Sequence, residues 1–398
     1  MILKKILHKA DVFYSIFSGA APSAITYLAI PFLITLYPPE DFTEFYVATS
    51  LVMILSNIST LGYMSSIVFN KQKTNYSALA LTALIVSSLT MAVFVLIAIL
   101  MDFIGVVNEY SPYGTILLVY LFTIFSILCQ TIAAKKEYSK LFLVKVASAL
   151  SIVAMQFLYV HYDFNGLIWG YMFGLAVSIW IAFVFSGISL NNLSSRRFYY
   201  NIKSRINFLK YQFPSSTLHI ANNNLLIPIL AVFYGGVDVG VFAIAVKLIL
   251  TPFTIIGAGV GQWYITGLKD NNVQQIKERT QSILFALSVL ATLCLIFVAL
   301  ALEVEYFAGY QGVEFYFAIL IWALTDMVDS SIRPFIMLNK HAIVLRITSI
   351  GLLLRYSLLM AGILIGDLVV SVWLFVVATV CVNIYSVYKK FRVISVVM

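Results

Sequence analysis

The chain has 398 residues, of which 62% are hydrophobic and 11% charged, with a formal net charge of +8. Soluble globular proteins carry about 25% charged residues, so this composition excludes an ordinary soluble globule. Apolar runs of about 20 residues recur along the chain, long enough to cross a ~30 Å hydrocarbon core and too long for the alternating strands of a membrane β-barrel. The sequence predicts an all-α, polytopic membrane protein.

Twelve membrane spans fit the apolar runs. The first span follows Lys4, Lys5 and Lys9 and continues to Leu36. It is too long for the apolar core of a signal peptide, so we interpret it as an uncleaved span. The predicted spans are residues 12–36, 44–68, 77–101, 114–134, 141–160, 166–187, 211–234, 240–266, 280–301, 314–335, 342–365 and 368–388.

Loop charges predict the orientation of these spans. All loop lysines and arginines fall on one side of the membrane, and the loops of the other side carry acidic charges alone. By the positive-inside rule the basic side is cytoplasmic. We therefore predict a multi-pass protein of the bacterial inner membrane with both termini in the cytoplasm. The cytoplasmic basic residues are Lys4, Lys5, Lys9, Lys71, Lys73, Lys135, Lys136, Lys140, Arg196, Arg197, Lys203, Arg205, Lys210, Lys269, Lys277, Arg279, Lys340, Lys389, Lys390 and Arg392.

An internal repeat divides the chain into halves. The longest polar segment, a predicted cytoplasmic linker at 191–210, separates an N-terminal lobe, 1–190, from a C-terminal lobe, 211–398, with six spans each. Segments Ile30–Gly62 and Ile227–Gly259 align without a gap at a shift of 197 positions. Because six is even, the copies run in the same sense, which is typical of two lobes that alternate access to a central cavity. Aligned identities pair Pro31 with Pro228, Tyr37 with Tyr234, Asp41 with Asp238, Phe45 with Phe242 and Gly62 with Gly259.

Charged residues inside spans are the first candidate site residues. Each costs about 2.5–3.5 kcal/mol at mid-membrane on insertion scales, so each indicates a structural or functional need. Asp326 and Arg355 are equidistant from the centre of the hairpin between spans ten and eleven, and Asp329 and Arg333 are four residues apart on one helical face. These four residues either form internal ion pairs or face the cavity, where they bind an anionic substrate or titrate with a coupling ion.

Two further candidates lie in spans seven and eight. Lys247 has no partner near it in sequence, so it either faces a water-filled cavity or extends to the outer interface; its repeat mate is Ser50. In span seven, Ser215, His219 and Asn222 share one face at i, i+4 and i+7. This stripe either hydrogen-bonds helices together or lines a transport path, on which His219 could carry protons.

No pattern in the chain predicts an enzyme. The sequence has no phosphate-cradling Gly-Lys loop, no nucleophile elbow and no cluster of metal ligands, and its cysteines, Cys129, Cys294 and Cys381, lie in apolar runs as packing residues. We expect no catalytic residue, no metal site and no cofactor; H+, Na+ or the membrane potential could drive transport. The positive charge follows the topology, so we expect membrane lipids and no nucleic acid as partners.

The repeat carries a family resemblance. The stretch IPFLITLYPPEDFTEFYVATSLVMILSNISTLGY and its copy PSSTLHIANNNLLIPILAVFYGGVDVGVFAIAVKLILTPFTIIGAGVGQWY resemble the polysaccharide-biosynthesis membrane proteins, the lipid-linked oligosaccharide (O-antigen, Wzx-type) flippases. Their superfamily also holds multidrug-and-toxin exporters and the peptidoglycan-precursor flippase. The resemblance covers both halves and consists of loose apolar patterns with Pro, Gly and Asp landmarks.

The resemblance implies a function. A twelve-span, two-lobed protein would move undecaprenyl-pyrophosphate-linked repeat units of O-antigen or another polysaccharide from the cytoplasmic to the periplasmic leaflet, beside other membrane proteins of polysaccharide assembly. Family members are expected to hold cations in the cavity for the pyrophosphate, and Lys247 matches a basic residue common after the turn between spans seven and eight. This chain departs from the pattern because spans one and two contain no embedded cation.

Other functions stay open on the sequence. A cation-coupled drug or metabolite exporter of the same fold would prefer an acidic cavity, which Asp326 and Asp329 could supply. An integral-membrane polymerase or glycosyltransferase of the same pathway would normally present a sizeable periplasmic loop with catalytic acids or Arg, and the predicted outer loops are short. A purely structural scaffold would not need buried charges.

Overall fold

The computed structural model describes residues 2–68, 76–103, 112–161, 165–188, 206–266, 278, 313–331 and 341–396. These residues form α-helices with short connections and contain no β-strand, which confirms the predicted all-α class. The helices are α1 (Ile2–Ile34), α2 (Pro39–Ser59), α3 (Tyr63–Val68), α4 (Tyr76–Phe103), α5 (Pro112–Ala134), α6 (Tyr138–Leu158, extended by the 3-10 turn Tyr159–His161), α7 (Gly166–Ser186), α8 (Ile206–Asn224), α9 (Leu226–Phe233), α10 (Gly236–Thr266), α11 (Val313–Ser331), α12 (His341–Ile365) and α13 (Leu368–Val396).

The chain is a multi-pass membrane protein. Nine of the described helices are long and apolar enough to cross a membrane, or ten if α8 and α9 form one span bent by 47°. Predicted span nine, 280–301, lies outside the described residues. Predicted span ten corresponds to α11, which is not among the nine, because Glu314, Asp326 and Asp329 all fall within its 19 residues.

Predicted span two, 44–68, is not one helix, because the chain turns between α2 and α3. Leu61 and Gly62 both have positive φ angles there, 47° and 74°. A Cβ atom on Gly62 would lie 3.1 Å from the Cβ atom of Phe213 in α8, so both the turn and the close approach favour glycine. In the second copy of the repeat, α10 continues as an unbroken helix past the equivalent Gly259.

The bend between α8 and α9 lies four residues before a proline. Pro228 has no backbone N–H, and its ring clashes with the carbonyl group four residues earlier, that of Asn224, where α8 ends. Pro31, at the equivalent position of the first copy, lies inside the continuous helix α1. The repeated proline is therefore accompanied by a break in one copy alone.

The described contacts divide the chain into two compact units, Met1–Ala231 and Val232–Met398. In the first unit, α5 packs against α2, α3, α4, α6 and α7, and its Leu118 and Val119 are fully buried in an apolar cluster with Val52 of α2. In the second unit, α10 packs on α11, and α13 packs on both α11 and α12.

The first unit includes α8 because that helix packs on α2. The side-chain amide of Asn57, 2% exposed, donates to the hydroxyl oxygens of Thr217, at 2.7 Å, and Ser216, at 3.3 Å. The unit boundary thus falls later in the chain than the predicted linker at 191–210. The division into lobes at that linker stays a prediction, since residues 189–205 lie outside the described part.

Two glycines bring α6 and α7 into close contact. A Cβ atom on Gly170 would lie 2.6 Å from the Cα atom of Gln156, and one on Gly174 would lie 2.5 Å from the Cα atom of Ile152. Small residues allow helix backbones to approach in this way inside membranes, where packing replaces the hydrophobic effect as the force between helices.

Candidate functional site

Three helices of the second unit surround a buried polar cluster. Helices α12 and α13 form a hairpin whose turn contains Gly366, at φ 85°, and Asp367, whose carboxylate accepts hydrogen bonds from the first backbone N–H groups of α13. A Cβ atom on Gly362 would lie 2.5 Å from the Cα atom of Ser371, so the two helices touch near the turn. Helix α11 packs against α13 and completes the group.

A chain of hydrogen bonds connects these three helices. Arg355 of α12 donates from Nη2 to Oδ1 of Asn383 in α13, at 3.0 Å. The Nδ2 atom of Asn383 donates to Oδ1 of Asp326 in α11, at 2.7 Å, and to Oγ1 of Thr325, at 3.4 Å. Trp322 donates its indole N–H to the second carboxylate oxygen of Asp326, at 2.9 Å. Asp326 and Arg355 are therefore brought together, with a neutral amide between them.

This arrangement differs from the predicted internal ion pair. Among the described residues, Asp326 and Arg355 form no direct salt bridge, because the amide of Asn383 offers its oxygen to the cation and its nitrogen to the carboxylate. Asn383 is not among the predicted site residues, because it carries no charge. The available signal was a carboxamide inside an apolar run, where a polar group needs a partner.

Asp326 and Arg355 differ in how many of their hydrogen-bonding atoms have partners. Both carboxylate oxygens of Asp326 accept hydrogen bonds from neutral donors. Arg355 is 5% exposed, and within the described part of the chain its Nε atom has no hydrogen-bond partner. A guanidinium has five N–H donors, and buried donors are rarely left unpaired. Arg355 therefore retains the capacity to bind further acceptor atoms.

A second charged contact joins α11 to the end of α13. Lys390 bonds from Nζ to a carboxylate oxygen and to the backbone carbonyl of Asp329, at 2.6 Å each. The predicted partner of this aspartate, Arg333, lies outside the described residues. Lys390 does not lie in a loop after span twelve as predicted, because α13 continues to Val396 and the lysine is 6% exposed; its cytoplasmic side stays a prediction. Its pairing with an acid on a neighbouring helix explains that burial.

Lys247 lies on α10, in the same unit as the cluster. Its side chain is exposed, whereas its repeat mate Ser50 is buried in the first unit. In the candidate span Gly236–Ile255 it lies eleven residues from the beginning, about 16 Å at 1.5 Å per residue. The lysine therefore lies within the apolar length of α10, where it either faces a cavity or extends to the outer interface.

The predicted stripe of span seven lies in the first unit, on α8. Ser215 and Asn222 are buried, whereas His219 is exposed and lies 3.5 Å from the amide of Asn223. The three residues thus share a helix and have different surroundings. The hydroxyl groups that bond α8 to α2 belong to its neighbours Ser216 and Thr217, which supports helix association for that part of the polar run.

The repeated tyrosines make equivalent contacts in the two units. Tyr37 donates its hydroxyl to the backbone carbonyl of Gln156 in α6, and Tyr234 exchanges a 2.7 Å hydrogen bond with the hydroxyl of Ser371 in α13. Each joins the turn after the first helix of a copy to a later helical hairpin of the same unit, α6–α7 in the first and α12–α13 in the second. Burial raises the pKa of Tyr37 to about 12, and Asp41 acts in the same direction, so this hydroxyl stays protonated.

Comparison with known proteins gives the fold. No protein-family model matches the chain, and no curated protein sequence matches it. A multidrug resistance MATE family transporter of the MOP superfamily, in an inward-facing conformation, superposes with a TM-score of 0.65 and 15% identity over 96% of this chain and 98% of that chain. The chain has the fold of the MATE transporters.

Two further solved structures support this MATE-like fold. A MOP superfamily transporter from Pyrococcus furiosus Vc1, for which a reverse polarity of the binding pocket suggests a different function, superposes with a TM-score of 0.59 and 15% identity over 97% of this chain and 95% of that chain. A MATE structure in the bent conformation gives 0.55 and 15%, over 98% and 96%. All three are transporters rather than enzymes.

Within the MATE-like fold, the predicted site residues fall into two groups. The second unit holds Asp326 and Arg355 in one hydrogen-bonded cluster, with Asp329 one helical turn further along α11 and Lys247 on α10. Ser215, His219 and Asn222 belong to the first unit. The charged site residues that the structure describes thus all belong to the second unit, and those of the first unit are neutral polar residues and a histidine.

Proposed function

We propose that the protein is a flippase that moves undecaprenyl-pyrophosphate-linked oligosaccharide, the repeat unit of O-antigen or a related polysaccharide, from the cytoplasmic to the periplasmic leaflet by alternating access. The transporter fold and the repeat that resembles the O-antigen flippases support this proposal. The location would be the bacterial inner membrane with both termini cytoplasmic, as the positions of the basic residues predict.

The unequal hydrogen bonding of the charged side chains in the second unit supports an anionic substrate most directly. Asp326 has both oxygens hydrogen-bonded, and Asp329 is paired with Lys390. Arg355, by contrast, forms one hydrogen bond among the described residues, to a neutral amide, and its Nε atom has no partner there. Its guanidinium thus retains donors for further acceptors, and pyrophosphate oxygens are strong acceptors for it. Lys247, on α10 of the same unit, adds a second cation.

The membrane potential could drive such a transport reaction without ATP. A pyrophosphate diester carries about two negative charges, and moving each charge outward across 100 mV, inside negative, releases about 2.3 kcal/mol. The total of about 4–5 kcal/mol favours the periplasmic leaflet by a factor of about 10³. A cation inside the membrane lowers the energy of the anion in transit, because the charge is not left unpaired in a low-dielectric medium.

A drug exporter is the second candidate, because one of the superposed structures is that of a multidrug resistance transporter. Such an exporter would bind cationic compounds at acidic side chains. Asp326 is already hydrogen-bonded and Asp329 is paired with Lys390, so neither acid is available to a cationic compound in this conformation. H+ or Na+ coupling is compatible with either candidate.

Complementation distinguishes the two candidates. The chain is produced in a bacterium that lacks its own O-antigen flippase and has the matching sugar transferases. We expect surface glycan to return and susceptibility to cationic drugs and dyes to stay unchanged. Drug resistance and dye efflux without restored glycan, at a normal level of protein in the membrane, would support the exporter and contradict the flippase.

A further inference from the structure

Asn383 occupies the position where an ion pair would otherwise form. Its side-chain oxygen accepts from Arg355 at 3.0 Å, and its side-chain nitrogen donates to Asp326 at 2.7 Å. The amide and the guanidinium are each 5% exposed. A single neutral group therefore separates two opposite charges inside the membrane-embedded part of the second unit.

Opposite charges so close together attract strongly in a low-dielectric interior. An arginine and a carboxylate in contact typically form two parallel hydrogen bonds, which use two donors of the guanidinium at once. With Asn383 between them, Asp326 is satisfied by the amide and by Trp322, while Arg355 gives up one donor and leaves Nε without a partner among the described residues. The amide of Asn383 thus satisfies the carboxylate of Asp326 and occupies one donor of the Arg355 guanidinium.

We infer that Asn383 is a positioning residue that keeps Asp326 from pairing with Arg355, and so reserves the guanidinium for the phosphate oxygens of an anionic substrate. The first part of this inference concerns the cluster alone. The second part rests on the proposed function. Removing the amide is expected to let the carboxylate and the guanidinium close into a direct pair, with loss of anion affinity.

The first test measures the coupling of the two charges without any ligand. Thermal unfolding is measured on purified full-length protein for Asp326→Asn, Arg355→Gln and the double variant. The same set is then measured in protein that also carries Asn383→Leu. Leucine has a similar volume and no hydrogen-bonding groups. We expect the non-additivity of the melting temperatures to be larger by several degrees in the leucine background, where the charges pair directly. Equal or smaller coupling there overturns the separating role.

The second test measures binding of inorganic pyrophosphate to the same proteins. We expect Asn383→Leu to weaken binding about tenfold or more, the loss of about one charge-assisted hydrogen bond. Adding Asp326→Asn should restore most of the affinity, because no carboxylate is left to capture the guanidinium. Asn57→Leu removes a buried asparagine of the first unit and serves as the matched control, with unchanged pyrophosphate affinity.

The two tests separate the inference from the proposed function. If Asn383→Leu binds pyrophosphate like the native chain, or if Asp326→Asn brings no recovery, Asn383 is a structural residue and the inference is wrong. If the native chain binds no pyrophosphate while the thermal coupling rises in the leucine background, the separating role stands and the anionic substrate of the proposed function is contradicted.

Discussion

Lys247 and Ser50 hold the same position in the two copies of the repeat and lie in different surroundings. The serine is 7% exposed on α2, whereas the lysine side chain is exposed on α10 near the middle of a candidate span. A charge at that depth costs about 2.5–3.5 kcal/mol on insertion scales if lipid covers it. An aqueous path that also receives an anionic substrate avoids this cost, so we expect the lysine to bind the pyrophosphate.

Replacing Lys247 tests this expectation at the scale of one residue. Lys247→Ala should abolish surface glycan in the complementation assay while the amount of protein in the membrane stays normal, and Lys247→Arg should retain activity because it keeps the charge. Lys145→Ala, which removes a partly exposed lysine of α6, is the control and should leave glycan unchanged. Normal glycan with the alanine at position 247 would contradict the assignment.

The polar cluster shows which kinds of site residue can be predicted from the sequence alone. Asp326 and Arg355 were predicted because charges in apolar runs are rare and visible. Asn383 was missed because a neutral amide stands out less, although its two hydrogen bonds organise the cluster. Lys390 was assigned to a cytoplasmic segment because it follows residue 388, the predicted end of span twelve. Its burial depends on a carboxylate more than fifty residues away, which no local pattern contains.

At the scale of helices, the contact between α6 and α7 depends on the absence of side chains. The Cβ atom of any residue at position 174 would lie 2.5 Å from the Cα atom of Ile152, which is shorter than real contacts allow. The two backbones would have to separate, and the contacts along both helices would weaken. This explains why Ser151 can also donate to the backbone carbonyl of Gly174, at 3.3 Å.

We therefore expect Gly174→Val to destabilise the protein by about 1–3 kcal/mol or more, the usual effect of overpacking a filled interior. Thermal unfolding of the purified protein should show a clearly lower melting temperature. Gly114→Val in α5 is the matched control, because nothing lies within 4 Å of the Cβ position there. Similar melting temperatures for the two variants would show that the α6–α7 contact is not as close as described.

The repeat predicts where helices begin better than where they bend or end. Helices α2 and α10 begin at Pro39 and Gly236, which are equivalent positions at the shift of 197. The aligned glycines end α2 and leave α10 continuous, and the aligned prolines accompany a break in one copy alone. The shared helix start accompanies the shared turn, whereas the shared proline and glycine do not by themselves decide where a helix bends or ends.

At the scale of the whole molecule, loop charges predict the topology. Fluorescent-protein fusions to either terminus should be fluorescent, because both termini are predicted to be cytoplasmic. Alkaline phosphatase inserted at the exposed turn residue Gly235 should be active, because that turn is predicted to be periplasmic. An inactive phosphatase there together with an active one at the C-terminus would invert the topology and the proposed direction of transport.

Composition and charge pattern were enough to predict a multi-pass helical protein, and the MATE-like superposition agrees with that class. The count of twelve spans goes beyond the nine or ten among the described residues, since one predicted span lies outside them and α11 carries three acidic residues. The substrate could not be derived from composition and charge pattern. It depends on which charged side chains already form hydrogen bonds or ion pairs within the protein. That depends on contacts between distant helices.

The central claim is tested most directly by reconstitution. Purified protein is placed in vesicles that contain undecaprenyl-pyrophosphate-linked oligosaccharide, and the fraction of sugar reached by a membrane-impermeant glycosidase is followed with and without an inside-negative potential. We predict that the native chain moves the sugar outward, that the potential accelerates the movement, and that Arg355→Gln and Lys247→Ala are inactive. No movement above that of protein-free vesicles, with transport of a cationic dye by the same preparation, would contradict the account.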